Sequence, residues 1–151
     1  GEPYYSSEPD MYLSTLVHEF NHSFVNPLAD NPAFASKMGP AGNAMLKYSR
    51  KVMRKNAYST WQNLVNESIV RAAVIIYLMD NGVSQDNIQQ SVVDEMSVGF
   101  YWTPDLVKCL QCYTMNRDRF PTMESYYQQI IKFFQDYANS NSDKIDAIFL
   151  K

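Results

Sequence analysis

Two histidines four residues apart, with a glutamate after the first, form the segment His18-Glu19-Phe20-Asn21-His22. On a helix, positions i and i+4 share one face about one turn apart, so two imidazoles can grip one Zn²⁺ at roughly 2.0–2.1 Å. Zinc lowers the pKa of a bound water toward about 7, and Glu19, beside the first ligand, can take that water's proton during attack and return it to a leaving amine. Chance places one H-E-x-x-H in a chain of this length on the order of 0.5% of the time. Only two histidines occur in the chain and both fall in the motif, so the pattern reads as a metal site rather than as two unrelated helix residues.

Zinc sites of this kind use three protein ligands and keep the fourth position for water. No histidine remains, so the third ligand has to be a carboxylate. The metzincin continuation is absent, because Val25 and Leu28 stand where Gly and His would be. Glu2 and Glu8 lie near the start, and Glu95 and Glu124 lie in more amphipathic stretches; Glu67 alone sits in the most apolar stretch, among Val65, Ile69, Val70 and Ala73. An ionised carboxylate there is costly unless a cation compensates it. Zinc is one such cation, and Arg71, one turn later, is the other, through an i,i+4 salt bridge. A transition-state oxyanion would need a donor opposite Glu19. Of the 11 tyrosines, Tyr101 in Gly99-Phe100-Tyr101-Trp102 is the candidate, against the commoner fate of a core or rim tyrosine.

Helices have to position these residues. Asp10 can cap a first helix whose apolar residues Leu13, Leu16, Val17, Phe20 and Phe24 recur at helical steps until Pro27. From Asn26 to Pro40, prolines, asparagines and a glycine read as a long loop. A second helix is expected from about Ala41 to Asn56, with Met45, Tyr48, Val52 and Met53 inward and Lys47, Arg50, Lys51, Arg54 and Lys55 outward. A third starts near Ser59 or Thr60 and stops at Asn81-Gly82; its second half is apolar nearly all round, which places it at the centre. Ser84 opens a fourth to about Met96, Thr103 with Pro104 a fifth to about Met115, and Thr122 with Glu124 a sixth to about Ala138. Tyr126, Tyr127, Phe133, Phe134 and Tyr137 fall at helical spacing and read as packing residues. Gly99 to Trp102 and Ala147 to Leu150 are the only strand candidates. The fold class is therefore mainly α, about six helices with little or no β-sheet.

Composition bounds the partners. The formal charge of -3 leaves no basic field for nucleic acid, and no apolar run approaches the length of a membrane span. Cys109 and Cys112 form a C-x-x-C without a second pair, so a four-cysteine zinc site is excluded and buried thiols are the expected reading, with a redox pair as the other.

His18-Glu19-Phe20-Asn21-His22 with Asn66-Glu67 resembles the gluzincin metallopeptidases, in which a Glu from a later helix joins H-E-x-x-H. More closely, the segments Thr15 to Phe24, Asn66 to Ala72 and Gly99-Phe100-Tyr101 resemble DUF4932, a domain-of-unknown-function family of secreted bacterial proteins. That resemblance implies a zinc hydrolase acting on a peptide or protein, held by His18, His22 and Glu67 with Glu19 as general base, in a secreted, periplasmic or cell-surface location. Two departures go with it. The 44 residues between His22 and Glu67 exceed the thermolysin-like spacing and read as an insertion. Zincin domains also place a β-sheet before the motif helix, so residues 1–151 read as one zincin-like domain, the helical C-terminal part of a longer catalytic unit. Two other function classes stand beside the peptidase: a catalytically inactive peptide- or glycan-binding domain on a peptidase scaffold, and a structural helical partner domain.

Overall fold

Asn31 is the whole connection between the first two helices, α1 (Pro9–Asp30) and α2 (Pro32–Met53). Its side-chain oxygen accepts from the Ala33 backbone N–H at 3.0 Å, and its carbonyl accepts from Phe34 and Ala35. Pro32 takes the first helical position, where its missing N–H costs nothing. The long loop expected from Asn26 to Pro40 is therefore not there. Pro27 lies in the last turn of α1 and Pro40 inside α2. A proline inside a helix costs about 3 kcal/mol; here the burial of Leu28, Ala29, Met38, Ala41 and Met45 along the same turns offsets it. Tertiary packing has overridden the local breakers.

The computed structural model describes residues 9–53 and 58–147. Within them follow α3 (Trp61–Asp80), α4 (Gln85–Ser97), α5 (Thr103–Met115), α6 (Met123–Ser140) and the short α7 (Ser142–Ala147), with no strand among the described residues. Asp10 stands within α1 rather than being seen to cap it. Arg54, Lys55 and Asn56 lie outside the described residues, as do residues 148–150 of the second strand candidate; Ala147 itself ends α7.

Helix α3 occupies the centre and packs on α1, α2, α4 and α5. Thr60 caps it by accepting from the Asn63 N–H, and Asn81-Gly82 closes it with Gly82 at φ 75. Its near neighbour α2 comes close because of a glycine: a Cβ at Gly42 would lie 2.9 Å from the Trp61 ring. Around α3 the core gathers Leu64, Ile69, Phe100, Trp102, Leu106, Tyr127, Ile130 and Phe134, all fully buried. The aromatic residues of α6 pack inward as expected, Tyr126, Tyr127 and Phe134 buried and Phe133 and Tyr137 partly so.

The segment Gly99 to Trp102 is a turn, not a strand. Gly99 adopts φ 109 and ends α4 in a Schellman arrangement, with Gly99 N–H donating to Met96 and Phe100 N–H to Glu95. This drops Phe100 and Trp102 into the core, where the indole N–H donates to the Ser68 hydroxyl at 2.9 Å. Thr103 does not cap α5, because its hydroxyl donates back to the Phe100 carbonyl; Trp102 holds the cap position. Helix α6 is capped by Thr122 and Ser125 exchanging hydrogen bonds, a role Glu124 was expected to share.

Helix α1 has two apolar faces. Val25, Leu28 and Ala29 face the core, while Leu13, Leu16, Phe20 and Phe24 are 44%, 59%, 65% and 57% exposed. At about 100° per residue the second set is turned well away from the first, so the apolar stripe that the sequence shows in this helix marks its outer face. The cysteine pair is likewise less buried than expected: both thiols are free, Cys109 half-buried and Cys112 exposed.

Candidate metal centre

His18 and His22 leave the inward face of α1 one turn apart, and their Nε2 atoms stand 3.2 Å from each other. Helix α3 packs across that face, and Glu67 projects from it toward the two rings: its Oε1 is 2.9 Å from His22 Nε2 and its Oε2 3.6 Å from His18 Nε2. One ligand atom from each of His18, His22 and Glu67 falls within a 4.8 Å cluster. The structure thus brings together the three residues that the sequence separates by most of two helices.

His22 Nδ1 lies 3.1 Å from Asn26 Oδ1, one turn further along α1. An amide oxygen only accepts, so this contact favours the tautomer protonated on Nδ1, in which Nε2 keeps a lone pair for a metal. Three electron-pair donors then cluster. The 3.2 Å between the two Nε2 atoms matches the separation of about 3.3 Å that a tetrahedral ion with bonds of 2.0–2.1 Å imposes on its ligands, and Glu67 meets the pair with different oxygens, Oε1 toward His22 and Oε2 toward His18. The donor set and its spacing fit zinc.

The second oxygen of Glu67 is already engaged. Arg71 Nε donates to Glu67 Oε2 at 3.1 Å, Nη1 to Glu95 Oε2 at 2.7 Å and Nη2 to the Tyr58 hydroxyl at 3.2 Å. The guanidinium also lies 4.7 Å from the centre of the Phe100 ring. Burial by itself would weaken the Arg71 charge, but the hydrogen bond and charge of Glu95 more than offset this and hold its pKa above the ordinary value. Of the two compensating cations left open by the sequence, Arg71 is seen at Oε2, while Oε1 faces His22 Nε2.

Tyr58, just before the third helix, is the tyrosine whose hydroxyl reaches this network. Burial raises its pKa, with the Glu67 carboxylate acting in the same direction and Arg71 against it. Tyr101 packs edge-on against Tyr48 and Trp102 instead. Sequence reasoning missed Tyr58, Glu95 and Asn26. Only Asn26 had a local signal, its i+4 spacing from His22; Tyr58 and Glu95 arrive from elements whose approach no spacing encodes.

Glu19 is exposed and takes no part in the cluster. It lines a shallow cavity of about 570 Å³ with Leu13, Leu16, Val17, Phe20 and Ser23. That lining includes none of His18, His22 and Glu67.

Residues 8–133 match the family described as Domain of unknown function (DUF4932), and the chain belongs to that family. No curated protein and no solved structure matches the chain.

Proposed function

We propose that this DUF4932 member is a zinc-dependent metallopeptidase in which His18, His22 and Glu67 hold the metal and Glu19 is the general base. The observation that supports the reading is that His18 Nε2, His22 Nε2 and the Glu67 carboxylate cluster within 4.8 Å of one another, with Asn26 Oδ1 at His22 Nδ1. Zinc bound there would supply a Lewis acid and a water acidified toward about pH 7. Glu19 would take the proton of the attacking water on its free carboxylate and pass it to the departing amine. Leu13, Leu16 and Phe20 line the cavity that Glu19 shares, an apolar surface on which a peptide side chain could rest.

For the developing oxyanion, Tyr58 is better placed than Tyr101. Its hydroxyl accepts from Arg71 and donates to the Glu67 carboxylate, which sets it beside the clustered residues. Replacing each by Phe separates them: Tyr58→Phe is expected to lower kcat with zinc retained, and Tyr101→Phe to alter packing alone.

Elemental analysis of the purified chain tests the metal, and cleavage of a mixed peptide library tests the chemistry. One equivalent of zinc with cleavage supports the peptidase. Zinc without cleavage of any peptide favours a catalytically inactive binding domain, a reading to which the exposed apolar face of α1 lends support. With the peptidase reading we also propose a location outside the cytoplasm, tested by fractionation of the parent cells.

A further inference from the structure

We infer that Arg71 is the positioning residue of the metal centre, holding Glu67 by Oε2, the oxygen nearer His18, so that Oε1 is left facing His22. The inference rests on the metal reading of His18, His22 and Glu67. It starts from how the two oxygens of Glu67 are divided: Oε1 lies 2.9 Å from His22 Nε2, and Oε2 receives Arg71 Nε at 3.1 Å. A carboxylate that is free to turn can give a metal both oxygens and so occupy the position that water needs. One whose second oxygen is tied back by a charged donor keeps that position open.

Arg71 can hold Glu67 in this way only if Arg71 itself is held, and four contacts do so. Glu95 takes Nη1 at 2.7 Å, Tyr58 takes Nη2 at 3.2 Å, Glu67 takes Nε, and the guanidinium lies 4.7 Å from the Phe100 ring centre. Glu95 and Phe100 are themselves tied together, since the Phe100 N–H donates to the Glu95 carbonyl in the turn closed by Gly99. The anchor of the guanidinium is thus a backbone motif, not a mobile surface side chain. A planar fork with donors in fixed directions suits this division of labour; an ammonium carries the same charge without the fixed angles.

The experiment uses the full chain, the variants Arg71→Lys and the paired Arg71→Gln/Glu95→Gln, and Co²⁺ and Zn²⁺ as probes. The paired variant removes one positive and one negative charge together, so that Glu95 is not left as a carboxylate facing no guanidinium while Glu67 alone loses its partner. Helical circular dichroism and thermal unfolding of the metal-free forms report the structural role; metal affinity and the visible d–d spectrum of the Co²⁺ form report the positioning role. In both variants the Kd for metal is expected to rise about 10–100-fold, the usual cost of losing an outer partner. The Co²⁺ bands should also weaken and broaden as the carboxylate loses its single orientation.

If the metal-free variants melt earlier but bind Co²⁺ with unchanged affinity and spectrum, Arg71 is only structural and the inference is overturned. Wild-type behaviour of Arg71→Lys overturns it too, because charge alone would then suffice. A wild-type chain that takes up neither metal overturns the metal reading itself, and the inference with it.

Discussion

His22 Nδ1 stands 3.1 Å from Asn26 Oδ1, an acceptor that favours the tautomer protonated on Nδ1. With Nδ1 as donor, the Nε2 lone pair faces His18 and Glu67. Asn26→Leu removes the acceptor while keeping a side chain of similar size on an exposed turn. Zinc affinity is expected to fall about 10–100-fold, with little change in helical content, as titration against a chromophoric chelator would show. Unchanged affinity would mean that the tautomer is set elsewhere.

Replacing His18 or His22 by Ala should lower bound zinc substantially, measured as metal per chain after gel filtration. Each change removes one of three converging donors. Full stoichiometry in both variants would remove the site.

Glu19→Gln separates holding the metal from moving the proton. Glu19 is not among the converging donors and lies exposed on the wall of the apolar cavity. Zinc content should stay at the wild-type level while peptide hydrolysis falls roughly 10²–10⁴-fold, the range for a lost general base. A variant that cleaves as fast as wild type would refute the role given to Glu19.

Gly42→Ala tests the approach of α2 to α3. The added methyl would meet the Trp61 ring at 2.9 Å, so ring or helix has to move. Overpacking of this kind costs typically 1–3 kcal/mol, which outweighs the helix propensity of about 1 kcal/mol that alanine adds over glycine. Chemical denaturation should show a net loss of stability; a gain would mean that the contact relaxes freely.

Alkaline unfolding provides a check on the α6 packing. Burial, with smaller contributions from Tyr48 and Asp105, pushes the Tyr137 phenol up to about 12 from its ordinary 10.0. The folded state then holds a proton that the unfolded chain releases above pH 10, so stability present below pH 10 is lost as pH rises toward 12. Tyr137→Phe should flatten the fall over that window in denaturant midpoints taken at successive pH values.

The sequence by itself determined the three residues that cluster and the helical character. His18 and His22 share a helix face because four residues make about one turn, and Glu67 stood out because an acid in an apolar helix needs a cation; both inferences use only local periodicity and the cost of burying charge. Caps at Thr60, Ser84 and Thr122 were legible for the same reason, since a cap is a contact within three residues.

What the tertiary structure alone decided lies between elements. Pro27 and Pro40 could stay helical because the core holds Leu28, Ala29 and Ala41 in place. The apolar stripe of Leu13, Leu16, Phe20 and Phe24 proved to be the outer face of α1, because hydrophobic period gives the direction of a stripe but not what it meets. Arg71, read as a rival to the metal, became its neighbour only once Glu95 and Tyr58 were brought to it from other parts of the chain. Which of several apolar faces is buried, and which distant charges meet, depends on how helices pack across one another, and no spacing within one helix records that.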